Sequence, residues 1–162
     1  MDSDKKLAVM ESSLARQLSW IAAADGKTGM VLAIDTAMLG TLAALAPRYQ
    51  DWSMLFAAPT FAAALFLGAS ILMLSLASFP RTTGPGGSLI FFGQIGCTQL
   101  EGFIKRIRER SEDDYLTDLA TQCHRNAQIA CQKYAWVKRA LIALYLSLAP
   151  WLVAIFLLHK RK

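Results

Sequence analysis

The sequence predicts an all-α integral membrane protein with three transmembrane helices and a cytoplasmic helical bundle. Residues 54–79 are twenty-six consecutive positions without Asp, Glu, Lys or Arg. A hydrocarbon core about 30 Å thick needs roughly 20 apolar residues at helical rise, so this run can span a bilayer. Residues 140–158 form a second uncharged run of nineteen, and residues 30–46 would form a third but for one acid, Asp35. Of the 162 residues, 54% are hydrophobic and 18% charged, at the apolar edge of soluble proteins.

Basic residues set the orientation. Lys and Arg number four in residues 1–28, one in 48–53, nine in 80–139 and three in the tail. With the amino end inside, thirteen lie on the cytoplasmic side against four outside. The expected arrangement is therefore multi-pass, with the N-terminus cytoplasmic and the carboxyl end outside. The tail Lys160-Arg161-Lys162 opposes that last crossing, and a re-entrant final segment would remove the conflict. Nineteen apolar residues flanked by charge favour a full span. Asp2, Asp4 and Glu11 interrupt the amino end, so the first span is read as a retained anchor and not as a signal peptide. The net charge of +5 follows mostly from the inside bias and calls for no nucleic acid. Cys97, Cys123 and Cys131 would lie on the reducing side, and Cys123 and Cys131 are too far apart for a metal chelate, so all three are read as small packing residues.

Residues 1–29 are expected to hold an amphipathic cytoplasmic helix. Leu7, Met10, Leu14, Leu18 and Ile21 recur at three- and four-residue steps, while Lys5, Glu11, Ser12 and Arg16 take other faces. Gly26 and Gly29 permit a bend at the membrane surface, and Lys27 can snorkel to headgroups. Residues 30–79 read as a transmembrane hairpin, because the connection 47–53 is too short for anything else, and Tyr49 and Trp52 suit the interface. Gly40 with Ala44, and Ala64 with Gly68, are small-residue steps suited to close helix packing. Residues 80–138 are expected to form a cytoplasmic helical region that opens with the linker Pro80-Arg81-Thr82-Thr83-Gly84-Pro85-Gly86-Gly87. Ser111, followed by Glu-Asp-Asp, is an N-cap for a helix that meets no proline or glycine until Pro150. From Glu112 to Leu158 that helix would be roughly 70 Å long. Residues 139–162 complete the chain as the third span and basic tail.

Candidate chemistry is sparse. Gly26-Lys27-Thr28 imitates the end of a phosphate-binding loop, but the required first glycine is Ile21 and no strand precedes it. No paired catalytic carboxylate, metal-ligand spacing or nucleophile elbow is present, so the chain is read as a non-enzyme without a cofactor. Asp35 is an ionisable group inside a span, expensive by about 2.5–3.5 kcal/mol on insertion scales. It either lines an ion path as a membrane gate or is hydrogen-bonded to Thr36, a serine or a neighbouring helix. Lys105, Arg106, Arg108 and Arg110 form a basic cluster. They serve either as a positive-inside face against anionic headgroups or as a phosphate site. Asn126 and Lys133, seven apart, share a face on the apolar stripe, where a polar pair needs a partner or a ligand.

Three stretches carry a resemblance over nearly the whole chain. They are Trp20-Ile-Ala-Ala-Ala-Asp25-Gly-Lys27-Thr-Gly-Met-Val-Leu-Ala-Ile, Phe91-Phe92-Gly93-Gln94-Ile95, and Asn126-Ala-Gln-Ile-Ala-Cys-Gln-Lys133-Tyr134 running into the last span. In this order they resemble the transmembrane Pycsar effector domain of bacterial anti-phage defence. The resemblance implies that a partner pyrimidine cyclase makes cyclic CMP or cyclic UMP, and that the effector senses it and impairs the inner membrane, causing cell death. Asp25, Lys27, Asn126 and Lys133 match the family-like motifs by position. A cyclic nucleotide would offer one phosphate to Arg or Lys and a flat base to Tyr134, Trp136 or Phe91. Lys27, Arg106, Arg108, Asn126, Lys133 and Tyr134 are thus the candidate nucleotide contacts, with a homo-oligomer expected. The rival readings are a membrane scaffold or adaptor, and a holin-like pore former that needs no ligand.

Overall fold

A computed structural model describes residues 3–80 and 84–160. The side chain of Tyr49, the segment Arg81-Thr82-Thr83, Asp2, and the tail residues Arg161 and Lys162 lie outside the described residues. Five α-helices and one short turn of 3-10 helix follow in order. They are α1 (Ser3–Leu45), the 3-10 turn (Tyr49–Asp51), α2 (Met54–Ser78), α3 (Phe92–Gly96), α4 (Leu100–Glu109) and α5 (Glu112–Lys160). No strand occurs among the described residues, and α1, α2 and α5 are each long and apolar enough to cross a membrane.

α1 makes no use of the bend that Gly26 and Gly29 permit. It runs for 43 residues through Gly26 and Gly29 without interruption. No proline occurs before Pro47, and a helical glycine costs only about 1 kcal/mol against alanine, so the glycines permit a bend without imposing one. α5 extends for 49 residues and continues through Pro150. Its start is fixed as the sequence predicts: the Asp114 amide donates to Ser111 Oγ at 3.2 Å, and that hydroxyl donates to Asp114 Oδ2 at 2.7 Å. These bonds hold the Asp114 carboxyl below its usual range.

The chain divides into two compact units, each fed by α1 and α5. The first comprises Met1–Ala23 and Pro80–Gln132. Within it the two long helices run parallel: Ser3 Oγ donates to Glu112 Oε2 at 3.3 Å, and Cys123 Sγ lies 3.5 Å from the Met10 carbonyl. Leu119, Cys123 and Ala130 are buried on α5. Burial pushes the Cys123 thiol and the Tyr115 phenol up. Cys97 and Cys131 are exposed, so of the three cysteines only Cys123 packs inside.

The described part of the linker is an ordered turn. Ser88 is buried, and its hydroxyl accepts from the amides of Ile90 (3.1 Å) and Phe91 (3.0 Å) and from Gln122 Nε2 (3.3 Å). The Leu89 amide donates to Asp118 Oδ2 at 2.7 Å, and Arg110 Nη1 donates to the Gly87 carbonyl at 2.8 Å. Gly87 adopts φ 74°, open to glycine at little cost.

The second unit comprises Ala24–Phe79 and Lys133–Lys162. On α1, Ala24, Thr28, Val31, Asp35, Met38 and Leu42 are buried at alternating steps of four and three; Val137, Ala140, Leu144, Ser147, Ala154 and Leu158 are buried on α5. That spacing is the seam of parallel packed helices. Trp151 Nε1 ties it by donating to the Met38 carbonyl at 3.1 Å. Ala63, Leu67, Ser70, Leu74 and Ala77 of α2 complete the interior. Phe61, Leu65 and Leu72 of α2 and Tyr145, Leu152 and Phe156 of α5 point outward, as expected where lipid replaces water as the apolar solvent. Gly40 and Gly68 also face outward, with nothing within 4 Å of an added Cβ, so they mediate no helix contact within the chain.

Candidate functional site at the Asp25–Lys133 pair

Two side chains from α1 meet two from α5 at one level of the second unit. The Lys133 ammonium forms an ion pair with Asp25 Oδ1, and Lys27 Nζ lies 5.2 Å from the centre of the Tyr134 ring. Ala24 and Thr28 face the seam. At about 100° per residue, Asp25 and Lys27 fall on opposite flanks of that line. Lys133 and Tyr134 likewise flank buried Val137. The seam is therefore clasped on one side by an ion pair and on the other by a cation–π contact.

The two lysines differ in environment. The Lys133 side chain is 12% exposed and that of Asp25 is 49% exposed. An ammonium so enclosed requires an anion, whereas a half-exposed carboxylate can turn to water. Lys27 is exposed, with no carboxylate in ion-pair range among the described residues.

Asp35 lies ten residues further along α1 and is 0% exposed. Ser70 Oγ donates to its Oδ2 at 2.6 Å, while Oδ1 is buried without a partner among the described residues. Of the partners considered from the sequence, a serine of a neighbouring helix is the one found. Thr36 instead donates to the Leu32 carbonyl at 2.7 Å.

The remaining candidates, Trp136 apart, belong to the first unit. Arg106 and Arg108 are exposed on α4. Of their cluster, Lys105 pairs with Glu109 at 3.8 Å and Arg110 is engaged by the Gly87 carbonyl. Asn126 is half-buried and makes no side-chain hydrogen bond among the described residues. Phe91 is packed rather than presented: its ring centre is 4.9 Å from that of Phe92, and a Cβ on Gly84 would sit 2.5 Å from it. Trp136 carries Arg139 at 4.7 Å. A shallow cleft of about 310 Å³ is lined by Gly84, Pro85, Thr121, His124, Arg125 and Gln128. Sequence reasoning passed over it because no local signal marks Thr121 or Gln128 as facing Pro85. No group of three or more His, Cys, Asp or Glu able to hold a metal occurs among the described residues.

Comparison with known proteins gives a consistent answer. The profile described as the Pycsar effector protein domain matches residues 9–159. The chain is also similar to Pycsar effector protein PtPycTM of Propioniciclava tarda, at 28% identity over 80% of this chain and 68% of that protein. No solved structure matches. With a profile that spans both long helices and everything between them, the chain belongs to the Pycsar effector family, the membrane-spanning effectors of an anti-phage defence linked to a cyclase.

Proposed function

We propose that this chain is a non-enzymatic effector of abortive infection: it is activated by cyclic CMP or cyclic UMP from a partner cyclase and then impairs the inner membrane, causing cell death. The observation that carries the reading is the pair of clasps Asp25–Lys133 and Lys27–Tyr134, close to where α1 and α5 enter their uncharged runs. A phosphodiester suits the ammonium groups of Lys27 or Lys133, and the Tyr134 ring suits a base. Arg106, Arg108 and Asn126 are the corresponding candidates within the first unit.

A ligand that binds one arrangement of the helices better shifts the population toward it. Moving that balance from 1:99 to 99:1 takes about 5.5 kcal/mol of differential binding. Several sites in a homo-oligomer would share that requirement. Asp35 is the proposed membrane gate, since parting of the helices would expose its carboxylate to water. In this reading the amino end is cytoplasmic.

The test is dye release from liposomes that carry the full-length protein. Release with cyclic CMP or cyclic UMP, and none with cyclic AMP, is the expected result. Leakage without any ligand favours the holin-like reading, and tight vesicles under all three nucleotides favour the scaffold. Lys27→Gln and Lys133→Met on one side, and Arg106→Gln, Arg108→Gln and Asn126→Ala on the other, decide which unit holds the nucleotide.

A further inference from the structure

We infer that Lys133 is the phosphate-binding group of this effector and that Asp25 is its resting occupant, a carboxylate that an incoming phosphodiester monoanion must displace. The inference rests on the nucleotide reading above and adds to it the identity of the competitor. Its basis is the asymmetry of the pair. Lys133 is nearly enclosed and has Asp25 as its ion-pair partner, while Asp25 is half exposed and makes no other side-chain hydrogen bond among the described residues. Removing Asp25 with nothing in its place would strand a poorly hydrated ammonium. A phosphodiester can take that place with the same single negative charge. The released carboxylate then passes to water at modest cost, because half of its side chain is already there.

The geometry also says what exchange does to the helices. Asp25–Lys133 clasps one flank of the seam and Lys27–Tyr134 the other. Taking Lys133 from Asp25 opens the first clasp and leaves the second intact. At that level α1 is then held on one flank alone, which favours a roll about the Lys27–Tyr134 contact against the packing of the rest of the seam. That roll turns the line Ala24, Thr28, Val31 and Asp35 relative to α5, because all four share one face of α1. Asp25 thus sets the threshold for response, and Lys27, on the far flank, does not compete for the same anion.

The experiment uses the full-length protein in liposomes, with nucleotide binding by calorimetry and dye release read in parallel. Asp25→Asn keeps the shape and removes the charge. It is expected to bind the activating nucleotide about tenfold more tightly, to leak at correspondingly lower nucleotide, and to raise the ligand-free leak. Asp25→Glu retains the carboxylate and should restore wild-type affinity, which a merely structural role for the side-chain shape would not predict. Asp25→Ser, smaller and neutral, guards against misfolding of the first variant and should match it. Unchanged or weaker binding by both neutral variants overturns the inference. If wild type and Asp25→Asn both ignore cyclic CMP and cyclic UMP, the nucleotide reading fails on its own, and inorganic phosphate in the same cell decides the exchange. Tighter phosphate binding by Asp25→Asn sustains it, and equal binding or none overturns it.

Discussion

Asp25 and Asp35 lie on the same helix and are solved in opposite ways. Asp25 is half exposed and meets a full counter-charge in Lys133. Asp35 is entirely buried and meets only a hydroxyl, that of Ser70, with its other oxygen unpartnered among the described residues. In water the better-paired acid would be the buried one, because an enclosed carboxylate loses more by going without a partner. The inversion teaches that the two levels serve different ends. The Asp25 level holds the helices together through a half-exposed ion pair and a cation–π contact, and the Asp35 level carries a polar group that the packing among the described residues does not satisfy.

The largest effect is expected at the deeper level. Asp35→Leu should raise resistance to unfolding in detergent by about 1–3 kcal/mol, since a half-satisfied buried carboxylate is often worse than an apolar residue of similar volume. Ser70→Ala should act in the opposite sense by about 1–3 kcal/mol, because it strips Asp35 of the one donor it has among the described residues. If both changes prove neutral, the contrast between the two acids has no energetic content. At the Asp25 level the effects are smaller. Lys133→Met and Lys27→Gln should each change stability by less than about 1 kcal/mol, and a larger loss at Lys133 would make that pair a structural brace rather than a replaceable clasp.

A kinetic comparison carries the same theme of burial into the first unit. Cys97 and Cys131 should react with a maleimide at neutral pH, and Cys123 much more slowly, as its thiol is both buried and pushed up. A raised thiol loses its proton more readily when unfolded, so its stabilising contribution is full at neutral pH and falls away at alkaline pH. Equal labelling of all three cysteines would mean that α1 and α5 separate readily around Cys123.

Some of this was legible in the residues. The uncharged runs 54–79 and 140–158, and the run 30–46 broken only by Asp35, foretell three membrane-crossing helices. Ser111 with its acids foretells where α5 begins. The sequence also flags Asp35 as an acid inside a span, and Asn126 and Lys133 as polar groups on an apolar stripe. It names neither their partners nor the anchors of the Pro/Gly turn, since Ser70 lies 35 residues from Asp35, Asp25 lies 108 from Lys133, and Gln122 lies 34 from Ser88. The course of α1 through Gly26 and Gly29 was equally out of reach, because a glycine permits both a bend and a helix.

What the sequence by itself determined is therefore the set of elements: helix length, apolarity and capping are local properties, and a bilayer of fixed thickness converts them into spans. Tertiary structure alone decided which charge faces which. Asp25 meets Lys133, Lys27 lies over Tyr134, and Asp35 is left with Ser70. The physical reason is that these pairings depend on the register and rotation of helices packed side by side, and residues far apart in sequence carry no local signal of either.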